Sequence, residues 1–235
     1  MTPSFFVIGL PRSGTTWLSR VVASQNKHLH IVHEAYKKTD FAMDAQAPFF
    51  PWKADAYMED RDRQVQERIT NRGYPVDGYG EVTPRLRYFA GAIQRFYPEA
   101  RFVHLVRDPV KSVISMMNYG YYHTHGRVHR TPAPDNGEWS QVKRASWAWA
   151  FGHNRIRQTI PTFFRLEDLT TDWPTMKEFA AAIGVKCHRG TWERQRNRPA
   201  NVSKRTHLEY EEWHDIPKAE LHDMTDEEAA HYGYV

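Results

Sequence analysis

The sequence predicts an α/β fold: a central parallel sheet covered by helices on both faces, in three layers. Short apolar runs alternate with longer helical patterns along the chain, the order that builds parallel sheets from crossover units. The first apolar run leads directly into glycines spaced for a tight turn before a helix. The length of 235 residues suits one domain with a proper core and is short for two, so residues 1–235 are read as a single domain.

Ser4–Gly9 holds Phe5, Phe6, Val7 and Ile8 in sequence, as expected for a strand buried on both faces. Thr15–Gln25 sets Trp17, Leu18, Val21 and Val22 on one helical face. His28–His33 alternates like a second strand. Residues 35–60 are rich in Asp, Ala, Pro and aromatics without a clean period, and read as a loop-rich excursion. Arg61–Arg72 reads as a helix closed by Gly73. Tyr79–Val82 is a short strand stopped by Pro84, followed by a helix from about Arg85 to Phe96. Arg101–Val106 is a strongly apolar strand, and Pro109 suits the first turn of a helix running to about Tyr121. Residues 123–138 have no apolar face and contain two prolines, which reads as a mobile loop. Trp139–Gln158 follows as a helix, Pro161–Leu166 as a strand and Asp172–Gly184 as a helix. Irregular chain comes next, and Thr225-x-x-Glu228 reads as a capping box opening a short last helix.

Composition narrows the function classes. Hydrophobic residues make up 40% and charged residues 26%, ordinary values for a water-soluble chain, and no stretch approaches the ~18–20 continuous apolar residues of a membrane span. The start of the chain lacks the basic region and cleavage site of a signal peptide, and the lone Cys187 fits a reducing compartment, so a cytoplasmic location is expected. The net charge of +4 comes without any Lys/Arg-rich block, and the basic residues stand singly at strand ends, which points to a small anionic ligand. The thirteen histidines are scattered, with no metal-ligand spacing, and no metal site is expected.

The segment GLPRSGTTW, residues 9–17, carries the chemistry. It has the G-x-x-x-x-G spacing of a phosphate-binding loop, but Thr15 stands where a nucleoside triphosphatase carries lysine. Backbone N–H groups of residues 10–15, apart from Pro11, and the start of the following helix form an anion cradle. Thr15 and Thr16 add hydroxyls, and Arg12 adds a bidentate cation. Without the lysine, a β,γ-phosphate and Mg²⁺ are poorly served.

Pro11–Trp17 (PRSGTTW) resembles the 5′-phosphosulfate loop of the sulfotransferases that use 3′-phosphoadenosine 5′-phosphosulfate (PAPS). In that family a second hallmark is a strand ending in Arg, with Ser eight residues later. RFVHLVRDPVKSVISMM is similar to it, with Arg107 and Ser115 at those positions, and FFRLEDLTTD and the terminal YGYV are further likenesses. The resemblance implies a P-loop-type α/β/α fold. It implies that Pro11, Arg12, Ser13, Gly14, Thr15, Thr16 and Trp17 hold the 5′ side of PAPS, and that Arg107 and Ser115 grip its 3′-phosphate. Many relatives close a late basic loop over that phosphate; here residues 194–205 include Lys204 and Arg205.

The activity implied is sulfonyl transfer from PAPS, without a metal, to a hydroxyl, less often an amine, of a small-molecule, carbohydrate or lipid acceptor. The histidine-base subgroup has no counterpart here, because Gly80–Pro84 lacks histidine. Glu34, in VHEAY, resembles the glutamate base of tyrosyl and carbohydrate sulfotransferases. Glu81, in GEVTPRLRY, is the second candidate and His33 the third; alternation on a strand points His33 and Glu34 to opposite faces. Arg12 is a catalytic candidate of another kind, acting on the leaving phosphate. Trp17, Tyr36, Phe41, Tyr88 and Trp147 are candidate walls for adenine and acceptor. A P-loop kinase of a small metabolite, with Asp108 as its metal ligand, is the alternative; a nucleic-acid-binding module lacks a recognition motif and is not expected.

Overall fold

A computed structural model describes residues 3–35, 54–71, 76–123, 138–198, 200 and 209–235. Along the chain run β1 (Pro3–Gly9), α1 (Thr15–Gln25), β2 (Leu29–His33), α2 (Ala54–Thr70), β3 (Gly78–Thr83), α3 (Ala90–Phe96), β4 (Arg101–Val106) and α4 (Pro109–Asn118). After these come α5 (Gln141–Arg157), β5 (Phe163–Arg165), α6 (Leu166–Thr171), α7 (Trp173–Ile183), α8 (Arg189–Arg196), a 3₁₀ turn (Tyr210–Glu212) and α9 (Asp215–Ala230).

β1 is apolar at every position from Phe5 to Ile8 and so needs cover on both faces. It lies at the centre of a five-stranded sheet in the order β2-β3-β1-β4-β5, with every pairing parallel. Phe5 and Val7 pack with Leu18 and Val21 of α1, Phe179 and Ile183 of α7, and Trp192 of α8. Phe6 and Ile8 face the other way, onto Met58 and Ile69 of α2, Ile93 of α3, Trp149 and Ile156 of α5, and Ala229 of α9. The alternation of one strand thus sorts the helices into two layers, and the α/β/α expectation holds.

The expected strands are all present, with boundaries shifted by a residue or two. Four helical expectations need correction. The second helix begins at Ala54, inside the segment read as loop. Its buried face runs through Tyr57, Met58, Arg61, Val65 and Ile69, and a charged residue in the middle of that face hid the period. The helix expected from Arg85 starts at Ala90, because residues 85–88 form turns in which Arg85 and Arg87 are buried. The stretch read as irregular contains α8, which buries only Trp192. Finally, α9 starts at Asp215, so Thr225 and Glu228 lie within it and form no capping box. The Thr225 hydroxyl donates to the Leu221 carbonyl (2.9 Å), and Glu228 accepts from both Arg157 Nε (3.0 Å) and the Tyr232 hydroxyl (2.7 Å). Among the described residues no helix is long and apolar enough to cross a membrane.

Two histidines meet in the core between β4 and α5. His104 Nε2 and His153 Nδ1 are 2.7 Å apart, and both side chains are fully buried. Burial pushes His104 down to about 3, with the charge of Arg157 adding to the effect. Burial, then His104, holds His153 well below the ordinary histidine value. Both are therefore neutral in the folded chain and take up protons when it unfolds. Their contribution is complete above about pH 6.5, the ordinary histidine value, and is lost progressively as the pH falls through the lowered values of the pair, about 3 for His104. Urea unfolding followed from neutral pH down to mildly acidic pH should show a loss of about 1.4 kcal/mol per pH unit for each histidine. His153→Gln should remove one histidine's share of that slope. An unchanged slope would mean that the pair accepts protons without unfolding.

Candidate active site

The loop between β1 and α1 is fixed by its own backbone. Ser13 donates twice to the Leu10 carbonyl, from its N–H (3.2 Å) and its hydroxyl (2.6 Å). Arg12 and Gly14 both take left-handed conformations, with φ of 72° and 89°. Left-handed residues in such a turn build the concave run of amides that accepts an anion. Gly14 is also the N-cap of α1, where no side chain caps the first amides. A Cβ at Gly14 would lie 2.6 Å from Leu166 Cδ1, so glycine is required there by backbone and space alike.

The two sequence motifs form one cluster. Arg107 Nη1 donates to the Arg12 carbonyl (2.8 Å), and Arg12 Nε donates to Ser115 Oγ (2.9 Å). The Arg12 guanidinium lies 4.7 Å over the Tyr119 ring. Arg107 is braced in turn: its carbonyl accepts from Trp149 Nε1 (3.1 Å), and the next residue donates from Asp108 N to Glu167 Oε1 (3.3 Å). Glu167 also accepts from the Tyr234 hydroxyl (2.8 Å), which links the YGYV end to this corner. Burial pushes Arg107 below the ordinary arginine value; Glu167 opposes that shift and Arg12 adds to it. Asp108, the metal ligand of the kinase alternative, commits Oδ1 to capping α4 through Lys111 N (2.8 Å).

A cavity of 260 Å³ opens at this corner, lined by Pro11, Arg12, Gly14, Thr15, Thr16, His33, Glu34, Pro84, Arg85, Tyr119, Tyr121 and Ala200. His33 Nε2 is 3.0 Å from Thr15 Oγ1 and 3.3 Å from Thr16 Oγ1. The Glu34 carboxylate is 3.6 Å from Arg85 Nε and 3.9 Å from His33 Nε2. Strand alternation predicted opposite faces for His33 and Glu34, and that expectation fails. β2 ends at His33, and Glu34 has φ of 53°, a left-handed turn that swings its side chain to the same cavity. A second cavity of 350 Å³ shares Gly14 and Ala200 with the first and is bounded by Trp17, Arg107 and Arg196.

Most expected residues meet at these two cavities. Pro11, Arg12, Gly14, Thr15, Thr16 and Glu34 line the first, while Trp17 and Arg107 line the second. Ser115 joins through Arg12, and Ser13 is buried inside the loop. Glu81 is fully buried and lines neither cavity. Tyr88 and Trp147 flank Phe151 away from both. Lys204, Arg205, Tyr36 and Phe41 lie outside the described residues, as does most of residues 35–60 and 123–138. Arg85, Tyr119 and Tyr121 are site residues that the sequence did not reveal; the one signal for Arg85 was its place just past a strand end. Cations, hydroxyls and a carboxylate converge on one small polar space, which can hold an anionic group and accept a proton beside it.

A family model described as the sulfotransferase family matches residues 3–227. No curated protein sequence matches the chain. Among solved structures, the fold is similar to a sulfotransferase from Alicyclobacillus acidocaldarius, with a TM-score of 0.54, 16% identity, and 98% of this chain and 94% of that chain covered. It is also similar to mouse sulfotransferase SULT7A1 complexed with PAP, with a TM-score of 0.52, 12% identity, and 94% and 82% covered. A sulfotransferase domain from the curacin biosynthetic pathway gives 0.50 and 15%, with 81% and 77% covered.

The glycine requirement can be tested directly. Gly14→Ala should destabilise the fold by about 1–2 kcal/mol through its backbone alone, and by more through the collision with Leu166. In a Leu166→Ala background only the backbone part should remain, as read by urea unfolding of all four combinations. Equal costs in both backgrounds would show that Leu166 does not set the space at the loop.

Proposed function

Because the chain belongs to the sulfotransferase family, we propose that it transfers a sulfonyl group from PAPS to a hydroxyl of a small-molecule, carbohydrate or lipid acceptor. Residues 1–235 act in this reading as one sulfotransferase domain, and a reducing cytoplasm is the compartment that fits its lone Cys187. The observation that carries the proposal is the shared cavity of the loop and Glu34, the anion cradle and a carboxylate opening onto the same space.

Each residue then has a task. The loop amides, Thr15, Thr16 and Arg12 hold the 5′-phosphosulfate by preorganised donors. Arg107 and Ser115 hold the 3′-phosphate. Their present bonds leave capacity for this, since Arg107 commits one donor of its fork to Arg12, and the Ser115 hydroxyl can accept from Arg12 while donating its own proton to a phosphate. Trp17 and Arg196, on the walls of the second cavity, are suited to the nucleoside side. Glu34 takes the proton of the acceptor hydroxyl as its oxygen bonds to sulfur and the sulfur–oxygen bond to the 5′-phosphate breaks. Arg12 offsets the charge that collects on the departing phosphate, and Arg85 orients the Glu34 carboxylate through their contact at 3.6 Å.

Two measurements test the proposal. 3′-Phosphoadenosine 5′-phosphate (PAP) should raise the melting temperature without added metal, and adenosine 5′-phosphate should do much less. Arg107→Ala should weaken PAP binding about 10- to 100-fold, the worth of a charged hydrogen bond. Equal shifts for the two nucleotides would remove the second phosphate site.

Glu34→Gln should lower kcat about 10²–10⁴-fold with PAP affinity nearly unchanged, and the acid limb of the pH–rate profile should vanish with it. An active Glu34→Gln enzyme that kept its acid limb would take the base role away from Glu34.

A further inference from the structure

We propose that Glu81 is a positioning residue, which with Arg61 and Tyr79 holds Glu34 in the left-handed turn that brings its carboxylate into the active site. The proposal rests on Glu34 being the base. It assigns to Glu81 a task other than the chemistry for which its sequence context suggested it.

Both oxygens of Glu81 are committed inside the protein. Oε2 accepts from Arg61 Nη2 at 2.6 Å and from the Tyr79 hydroxyl, and Oε1 accepts from the Ala35 N–H at 3.3 Å. The Glu81 side chain has no exposed surface and that of Arg61 has 1%. A buried carboxylate and guanidinium are costly to desolvate, and an apolar pair would serve stability as well or better. What an apolar pair lacks is an acceptor for Ala35, and that N–H belongs to the peptide immediately after Glu34.

That peptide decides where Glu34 points. At φ of 53° a residue with a Cβ is strained. Relaxed into the extended conformation, Glu34 would follow strand alternation and leave the face it shares with His33. His33 faces the loop threonines, so the relaxed carboxylate would turn away from the loop. Register favours the arrangement, since Val32 pairs with Glu81 and the chain leaving β2 brings the Ala35 N–H back onto the same carboxylate. Arg85 then meets the carboxylate from the end of β3, on the cavity side. The strain at Glu34 is thus matched by a fixed acceptor beneath it and a cation in front of it.

Two variants test the proposal. Glu81→Gln keeps a single acceptor oxygen, which the Arg61 and Tyr79 donors claim, and turns its NH2, a donor, against the Ala35 N–H. Arg61→Met/Tyr79→Phe/Glu81→Leu replaces the whole buried cluster by apolar groups and removes the carboxylate oxygen that accepts from Ala35. In both, kcat should fall about 10- to 100-fold, the effect of a displaced catalytic group. PAP affinity should stay within about twofold and the acid limb of the pH–rate profile should persist. A lost acid limb would make Glu81 the base, and an unchanged kcat in the folded triple variant would make the cluster merely structural. Crystal structures of both variants give a readout independent of activity: Glu34 should leave positive φ and the cavity. Unmoved, it would overturn the proposal even if the wild-type protein moved no sulfonyl group from PAPS, a result that would count against the functional reading alone.

Discussion

One hydrogen bond, from Arg107 Nη1 to the carbonyl of Arg12, joins the end of β4 to the loop after β1. β1 and β4 are neighbours in register, Gly9 opposite Leu105, so both strands end at the same edge. The bond crosses that edge and fixes the one loop residue with a Cβ in a left-handed conformation. Arg12 held there can reach Ser115 on α4 and lie over Tyr119. A charge-assisted bond of this kind contributes about 1.5–3 kcal/mol, enough to offset the backbone strain at Arg12. The loop, the end of β4 and α4 are therefore tied together at one corner.

The rest of the site follows from parallel topology. All five strands finish at one edge, and the residues just beyond each end become neighbours although they are far apart in the chain. The loop follows Gly9, Glu34 follows His33, Arg85 follows Thr83 by two, Arg107 follows Val106, and Leu166 follows Arg165. β3 is buried at every position, and of the strand residues His33 at the end of β2 is the one that lines the first cavity. Precision comes from what stands behind these end residues. Glu167 and Tyr234 brace the turn at Asp108, and Glu81 with Arg61 stands behind Glu34.

This division explains what the sequence disclosed. Strands buried on both faces carry apolar runs, uninterrupted in Phe5–Ile8 and broken only by His104 within Phe102–Val106, so both were legible. Helices were legible where apolar side chains alone formed the face, as in α1. They were lost where a buried charge interrupted the face, as Arg61 does in α2, or where one tryptophan made up the buried face, as in α8. Residues of the loop and of the Arg107–Ser115 pair were legible because each motif is local. Arg85 was not, because its role requires the ends of β2 and β3 to be side by side. The shared face of His33 and Glu34 escaped the alternation rule, which assumes an extended backbone, and no local pattern announces positive φ at a glutamate.

The two buried polar clusters show where this fold departs from simple packing. His104 and His153 are kept neutral by burial and meet in one close contact deep in the core. The Glu81 cluster carries full charges, and the energy of desolvating them is returned only in part by their mutual attraction. Burial also drives the Tyr79 hydroxyl well above the ordinary tyrosine value, with Glu81 adding to the shift, so that hydroxyl keeps its proton and remains a donor to the carboxylate. A neutral cluster would suffice for filling space between β3 and α2. A charged one offers a strong acceptor at a fixed point, and the chain applies that acceptor to the single peptide whose orientation sends Glu34 toward the loop.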